Sequence, residues 1–199
     1  SDVCSSDLMH NIIHFEELNS TSVYSHEHLS ELKNFDVVSC DIQNSGHGQF
    51  NRVWFSSNKN GGNLYISIIL KPDNIAHLNE LTRYVASIGA ETLKEYSLKP
   101  TFKYPNDILI EGKKIAGFLA ESEFIGQKLK GVIVGCGINL NLDENEIKNI
   151  DIPATSIFNE TRTPVNKDEF LNKFLDNFKN SYEDFLVNGI KGEILCAKK

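Results

Sequence analysis

The chain has 199 residues, with 20 Lys and Arg against 27 Asp and Glu and a formal net charge of −7. That acidic balance excludes the broad basic face that sequence-independent binding to nucleic-acid phosphates requires. With 40% apolar and 24% charged residues the composition is that of a globular chain, long enough for one substantial core and one main domain.

Cys4, Cys40, Cys136 and Cys196 lie far apart with no C-x-x-C pair, so they read as free thiols of a cytoplasmic protein and not as a zinc framework. No window reaches the roughly 18 apolar residues that cross a bilayer, and no membrane association is expected. The leader SDVCSSDL has neither a basic start nor an apolar centre, so it is no signal peptide. Since Met9 follows it, residues 1–9 are set apart from the fold; 10–187 read as the catalytic domain and 188–199 as a tail.

Asn11 to Leu18 reads as a first strand, and Ser20-Thr21 supply hydroxyl caps for a helix running through Val23, Leu29 and Leu32. Phe35 to Ile42 is a β-branched strand. The polar, Gly- and Asn-rich segment Gln43 to Asn63 then exceeds the ~12 residues at which a structureless connection becomes uncommon, which points to a functional loop. Leu64 to Leu70 is continuous enough in apolar residues to be buried on both faces. From Asn74 to Tyr96, the positions Leu78, Leu81, Val85, Ile88 and Leu93 predict one long core helix. Thr101–Lys103, Ile108–Ile110, Lys114–Ser122 and Lys130–Gly137 read as antiparallel strands separated by the turns Pro105-Asn106-Asp107, Glu111-Gly112 and Gly126. Asp143 to Thr163 reads as loop with short helical pieces. Lys167 to Leu186 closes the chain as a helix whose aromatic stripe, Phe170 to Phe185, belongs to the core. The order predicts an α+β fold, a mixed and mainly antiparallel sheet flanked by helices.

Several stretches fail the tests for familiar sites. Glu111-Gly112-Lys113-Lys114 lacks the spacing and the Ser or Thr of a phosphate loop. Gly135-Cys136-Gly137 has Leu140 where a dinucleotide fold needs a small residue. His26 and His28 are two apart and cannot share a helix face, and no metal-ligating residues are assigned. Lys103 alone is a strand-end charge, Asn106 and Asp107 are turn residues, and Trp54 alone is a core side chain.

Taken in order, however, the blocks resemble one family. They are Ser20-Thr21; Gln43 with Gly46-His47-Gly48 and Arg52-Val53-Trp54-Phe55; Asn63 to Ser67; Lys103-Tyr104-Pro105-Asn106-Asp107-Ile108; Lys114-Ile115-Ala116-Gly117 with Glu121; and Val134 to Asn141. Together they resemble the biotin protein ligases, over about Ile12 to Tyr182. The resemblance implies a catalytic domain of the class II aminoacyl-tRNA synthetase and biotin ligase type. It implies ATP and Mg2+ as cofactors, biotin as substrate, biotinyl-5′-AMP as intermediate, and a lysine of a biotin carboxyl carrier domain as acceptor.

By the same resemblance Lys103 and Arg52 are the catalytic candidates. Ser20, Thr21, Ser22, Gln43, Gly46, His47, Gly48, Gln49, Lys103 and Gly117 are the biotin-binding candidates, and Arg52, Trp54, Lys114 and Asn139 face ATP or the adenylate. The family pattern carries arginines where this chain has His47 and Gln49, a small residue at Asn51 and an Asn at Ser22. Less positive charge over the adenylate leads us to expect activity with looser retention of the intermediate, since neutral donors bond more weakly than charged ones. The resemblance leads us to expect a minimal form, without the DNA-binding winged helix before the first strand and with the C-terminal barrel either absent or truncated. A homodimer through strand edges is compatible with it. The alternatives are a lipoate or octanoate ligase or transferase of the same superfamily, the transferase using a cysteine nucleophile, and a biotin-binding module without catalysis.

Overall fold

The computed structural model describes residues 11–48 and 52–190. In chain order they form β1 (Ile12–Leu18), α1 (Thr21–Glu27), β2 (Val37–Gln43), β3 (Asn63–Leu70), α2 (Leu81–Lys94), β4 (Pro100–Lys103), β5 (Asp107–Ile110), β6 (Lys113–Ile125), β7 (Lys128–Asn139), α3 (Glu144–Ile147), α4 (Ile157–Thr161) and α5 (Lys167–Asn188). The strands make one sheet in the order β1-β2-β3-β7-β6-β5-β4. β1 and β2 are parallel, joined through α1, and the other pairs are antiparallel. The expected mixed, mainly antiparallel sheet is therefore present.

The turn between β5 and β6 follows from backbone chemistry. Glu111 and Gly112 both have positive φ, at 49° and 80°, which is the two-residue turn whose twist matches flanking strands.

One face of the sheet is closed by α2 and α5. The aromatic stripe of α5 is buried there: Phe170, Phe174, Phe178, Tyr182 and Phe185 pack against α2 and the sheet. Phe174 stacks near-parallel to Phe118 of β6, and Tyr84 stacks on Phe185 with centroids 4.1 Å apart. Burying each such ring is worth about 1.5–3 kcal/mol. The other face is covered only at its β1–β3 end, where α1 and the turn after it seat Leu29 and Leu32 on Val38, Ile69 and Ile133. Towards β6 and β5 that face stays open.

Two helices are shorter than their patterns predict. α1 ends at Glu27, while Leu29 and Leu32 are buried in the following turns. Beyond the helix end, the Lys71 ammonium takes the carbonyls of Leu29 and Leu32 and holds the following turns in place. α2 begins at Leu81, after a short 3-10 turn over Leu78–Glu80. Upstream, Asn74 bonds Ala76 N–H and the Leu186 carbonyl, which ties that segment to the end of α5 instead.

The long loop after β2 is built into the fold. Its far end is pinned by Ser57, whose N–H meets Asn63 Oδ1 and Tyr65 Oη and whose hydroxyl donates to Glu146 at 2.5 Å. Lys59 reaches both Asp143 and Glu146, at 2.9 and 3.0 Å.

Replacing Phe174 by alanine, at a fully buried ring, should cost about 3–5 kcal/mol in denaturant unfolding. Acid should also act on the pinned loop. Burial works to raise the Glu146 carboxyl, but the bonds from Ser57 and Lys59 prevail and hold it below 4.5; Lys113 and Thr155 do the same against burial for Glu160. A carboxyl lowered in the folded state stabilises fully above its unfolded pKa and loses that contribution as pH falls through the folded value. Melting temperature should therefore drop as pH is taken below 4.5, and more shallowly in Glu146→Gln.

Candidate active site

The open half of the sheet has a floor built on glycines between charged edges. Strand register places Lys103 opposite Asp107, Asp107 opposite Gly117, and Gly117 opposite Gly137. Residues directly opposite point to the same face, so one row across four strands reads cation, carboxylate, glycine, glycine. In the next row Gly135 lies opposite Ser67.

The indole of Trp54 lies on the glycine pair. A Cβ added at Gly137 would stand 2.6 Å from the ring, and one at Gly117 would stand 2.9 Å from it and 3.1 Å from Lys114 Nζ. No larger residue fits at either position without moving the tryptophan. The Trp54 Nε1–H is buried with no acceptor among the described residues, an arrangement that costs about 1–3 kcal/mol in the free protein.

Trp54 is carried there by a hairpin-like return of the loop. Its N–H bonds the Gly46 carbonyl at 2.9 Å, Gly48 N–H bonds the Arg52 carbonyl at 2.8 Å, and His47 bridges Val53. Gly46 is needed for contact, since a Cβ there would lie 2.3 Å from Gln43 Nε2. Residues 49–51, and with them the candidate Gln49 and the substituted Asn51, fall outside the described residues.

Two cavities meet at the tryptophan. The smaller, about 100 Å3, runs from Ser20, Thr21, Ser22 and Gln43 across Gly117, Gly135 and Gly137 to His47 and Gly48. The larger, about 780 Å3, is lined by Lys103, Leu109 and Asn139 and walled by the segment from Asn149 to Ala154. Arg52, Val53, Trp54, Asp107 and Lys114 line both. Lys103 belongs to the larger cavity, and Gly46 stands behind the smaller one as support.

At the closed end of the smaller cavity Ser20 is the N-cap of α1, accepting from Val23 N–H. Gln43 Oε1 accepts the Thr21 N–H at 3.0 Å, which leaves its NH2 as a donor. Thr21, Ser22 and Ser67 are buried and their hydroxyls are in mutual contact at 2.9 and 3.2 Å.

At the shared wall Lys114 is fixed through both backbone groups. Its N–H bonds the Pro153 carbonyl and its carbonyl takes the Thr155 N–H. The ammonium meets Asp107 at 2.7 Å and sits 5.1 Å from the Trp54 ring centroid, a cation-π distance. Asn139 bonds Asn63 through its oxygen and the Thr155 carbonyl through its nitrogen, both at 2.8 Å. It thus joins β3, β7 and the wall of the larger cavity.

Gly117 was picked out as a site residue by sequence reasoning, whereas Ser67, Asp107, Gly135 and Gly137 were not. Their signal was present in the strand alternation, which shows only that a face exists and not which residues of other strands share it. Cys136 points to the opposite side, into the α2–α5 core, and burial raises its thiol well above the usual range. Cys40 is likewise pushed up to about 12 by burial. Neither is an activated nucleophile, which counts against the cysteine-dependent transferase alternative.

Comparison with known proteins agrees with this geometry. Residues 14–139 match the family model described as the biotin/lipoate A/B protein ligase family. The bifunctional ligase/repressor BirA of Bacillus subtilis (strain 168) is 31% identical over 185 residues, covering 89% of this chain and 55% of that protein. The biotin--[acetyl-CoA-carboxylase] ligase of Paracoccus denitrificans is 30% identical over 135 residues, covering 65% of this chain and 55% of its own length. The chain thus spans about half the length of these curated relatives. Among solved structures, biotin protein ligase from Aquifex aeolicus in complex with biotin and ATP superposes with a TM-score of 0.76 at 27% identity, covering 90% of this chain and 73% of that one. Since the family model takes in more than half of the residues and the sheet and open face have the architecture of such a ligase, the chain belongs to the biotin/lipoate A/B protein ligase family.

Proposed function

We propose that this chain is an ATP-dependent ligase that forms biotinyl-5′-AMP and passes the biotinyl group to a lysine of a biotin carboxyl carrier domain. The observation that carries the reading is the pair of adjoining cavities with a common wall. One end offers donors and a glycine floor suited to a bicyclic urea. The other gathers Lys103, Lys114 and Arg52 for a triphosphate.

In the first half-reaction the biotin carboxylate attacks the α-phosphorus, a P–O bond forms, and pyrophosphate leaves with the electron pair of the broken bond. The residues' work is to hold two anions together and neutralise the charge that shifts to the leaving group. Lys103, on the Asp107–Gly117 row, is assigned to the carboxylate and α-phosphate. Arg52 is assigned to the phosphates, Trp54 to stacking on the adenine, and Lys114 and Asn139 to the phosphate and ribose side. Ser20, Thr21, Ser22 and Gln43 are assigned to the ureido ring, with His47, Gly48 and Gln49 closing over it. In the second half-reaction the neutral lysine amine of the carrier attacks the mixed anhydride, an amide forms, AMP leaves, and the amine's proton is lost to solvent.

Mg2+ supplies charge neutralisation on the triphosphate. The described residues hold no cluster of three or more His, Cys, Asp or Glu side chains able to cage a metal, which fits a Mg2+ that arrives on the nucleotide with one or two carboxylates added. Asp107, the carboxylate on the shared wall, is the residue that would meet it. We place the reaction in the cytoplasm. None of the described helices is long and apolar enough to cross a membrane. β1 and β4 terminate the sheet, and pairing of such edges is the dimer geometry proposed.

Biotin-dependent exchange of labelled pyrophosphate into ATP tests the reading directly, and exchange with lipoate but not biotin would refute it. Biotin binding without any adenylate, in the presence of MgATP and acceptor, would favour the non-catalytic module. Lys103→Ala should lower the exchange rate by about 10²- to 10³-fold, as loss of a charge-stabilising group does, a far larger effect than its loss of calorimetric biotin binding; unchanged exchange kinetics would refute the assignment. Gln49→Arg should slow the escape of biotinyl-5′-AMP from the enzyme, measured by trapping the free adenylate; equal escape rates would mean that the weakly charged loop is not what governs retention.

A further inference from the structure

We propose that Ser67 is a positioning residue that fixes the hydrogen-bond polarity of the smaller cavity, so that its closed end recognises a carbonyl oxygen. The inference rests on the proposed binding of a cyclic urea. It adds a residue of β3 to which no role in the site has been assigned above.

The argument is a count of protons. A serine or threonine hydroxyl carries one hydrogen. Ser67 Oγ, fully buried, donates its hydrogen to Thr21 Oγ1 at 2.9 Å. The contact of 3.2 Å between Ser22 Oγ and Ser67 Oγ must then be donated by Ser22. The chain of hydroxyls therefore runs from Ser22 to Ser67 to Thr21, and the Thr21 hydrogen is the one left to point onward. No acceptor among the described residues takes it, and Thr21 lines the cavity.

The neighbouring groups have the same sense. Gln43 spends its oxygen on the Thr21 N–H and keeps its NH2. Ser20 Oγ accepts from Val23 N–H as the helix cap and keeps its hydrogen. Donors of Thr21, Gln43 and Ser20 thus line one end of the cavity, and an acceptor such as a urea carbonyl oxygen complements them. Ser67 can do this because Gly135 is its partner across the strands. A Cβ at Gly135 would lie 2.7 Å from Ser22 Oγ and displace the first hydroxyl of the chain. Bonds in such a series also polarise one another, so the last donor is stronger than an isolated hydroxyl.

The test is a cycle between protein and ligand. Calorimetry compares biotin with its thiocarbonyl analogue, in which sulfur, a weak acceptor, replaces the ureido oxygen, on the full chain and on Ser67→Ala. Biotin should bind roughly three- to tenfold more weakly to Ser67→Ala, the scale of one neutral hydrogen bond. The penalty for replacing oxygen by sulfur should shrink by about the same factor, and KM for biotin in pyrophosphate exchange should rise with kcat held within about twofold. In Thr21→Val the oxygen-for-sulfur penalty should shrink at least as far as in Ser67→Ala, and adding Ser67→Ala should change it no further.

An equal loss for both ligands in Ser67→Ala, or no loss for either, overturns the proposal and leaves the ligase reading standing. Failure of the unaltered chain to bind biotin overturns both. If Ser67→Ala unfolds, Ser67→Cys, close in size and a weaker donor, carries the same comparison with the same two outcomes.

Discussion

The contact of the Trp54 ring with the backbone of Gly117 and Gly137 is the constraint around which the site is arranged. An indole can lie flat on a sheet only where two neighbouring strands both lack a side chain, and the β6–β7 register puts two glycines opposite each other at that point. From it follow the pairing of residues 46–48 with 52–54, the position of Arg52 beside both cavities, and the division of the open face into two compartments. The buried Nε1–H, without an acceptor among the described residues, suits a side chain whose partner is supplied by a ligand.

The positive charge of the site is held in a similar economy. The chain is acidic overall, and at the cavities it collects Lys103, Lys114 and Arg52. Lys114 is not free in the described structure. Asp107 holds its ammonium, the Trp54 face lies against it, and both of its backbone groups are tied to the 153–155 segment. Such a lysine is preorganised, and an arriving phosphate competes with one carboxylate for it. Lys103 is exposed and on the same row, without that restraint. The difference suits two separate tasks in the proposed reaction, one cation held against the wall between the cavities and one able to reach across.

Structural polar groups and candidate binding groups are closely interleaved. Asn139 is matched to the nucleotide side by resemblance, yet its amide already joins β3, β7 and the wall of the larger cavity. Ser20 caps α1 and faces the ligand cavity at once. A substitution at either position acts on fold and site together. Ser67 differs, since its partners are two other hydroxyls of the cavity.

Local chemistry was legible in the sequence wherever it repeats along the chain. The apolar strand Leu64 to Leu70, the aromatic stripe of α5, the Ser20 cap and the Glu111-Gly112 turn are each dictated by neighbours a few residues away. Helix ends were misjudged at α1 and α2, where the flanking residues are held by contacts far along the chain: Lys71 bonds the carbonyls of Leu29 and Leu32, and Asn74 bonds that of Leu186. The family motifs identified the loop residues and Lys103, but what those residues touch could not be read from spacing. Only the sheet register sets Lys103, Asp107, Gly117 and Gly137 in one row and brings Ser67 beneath the first turn of α1. Residues separated by dozens of positions become neighbours through hydrogen bonds between strands, and periodicity within a strand carries no information about its partner's alignment.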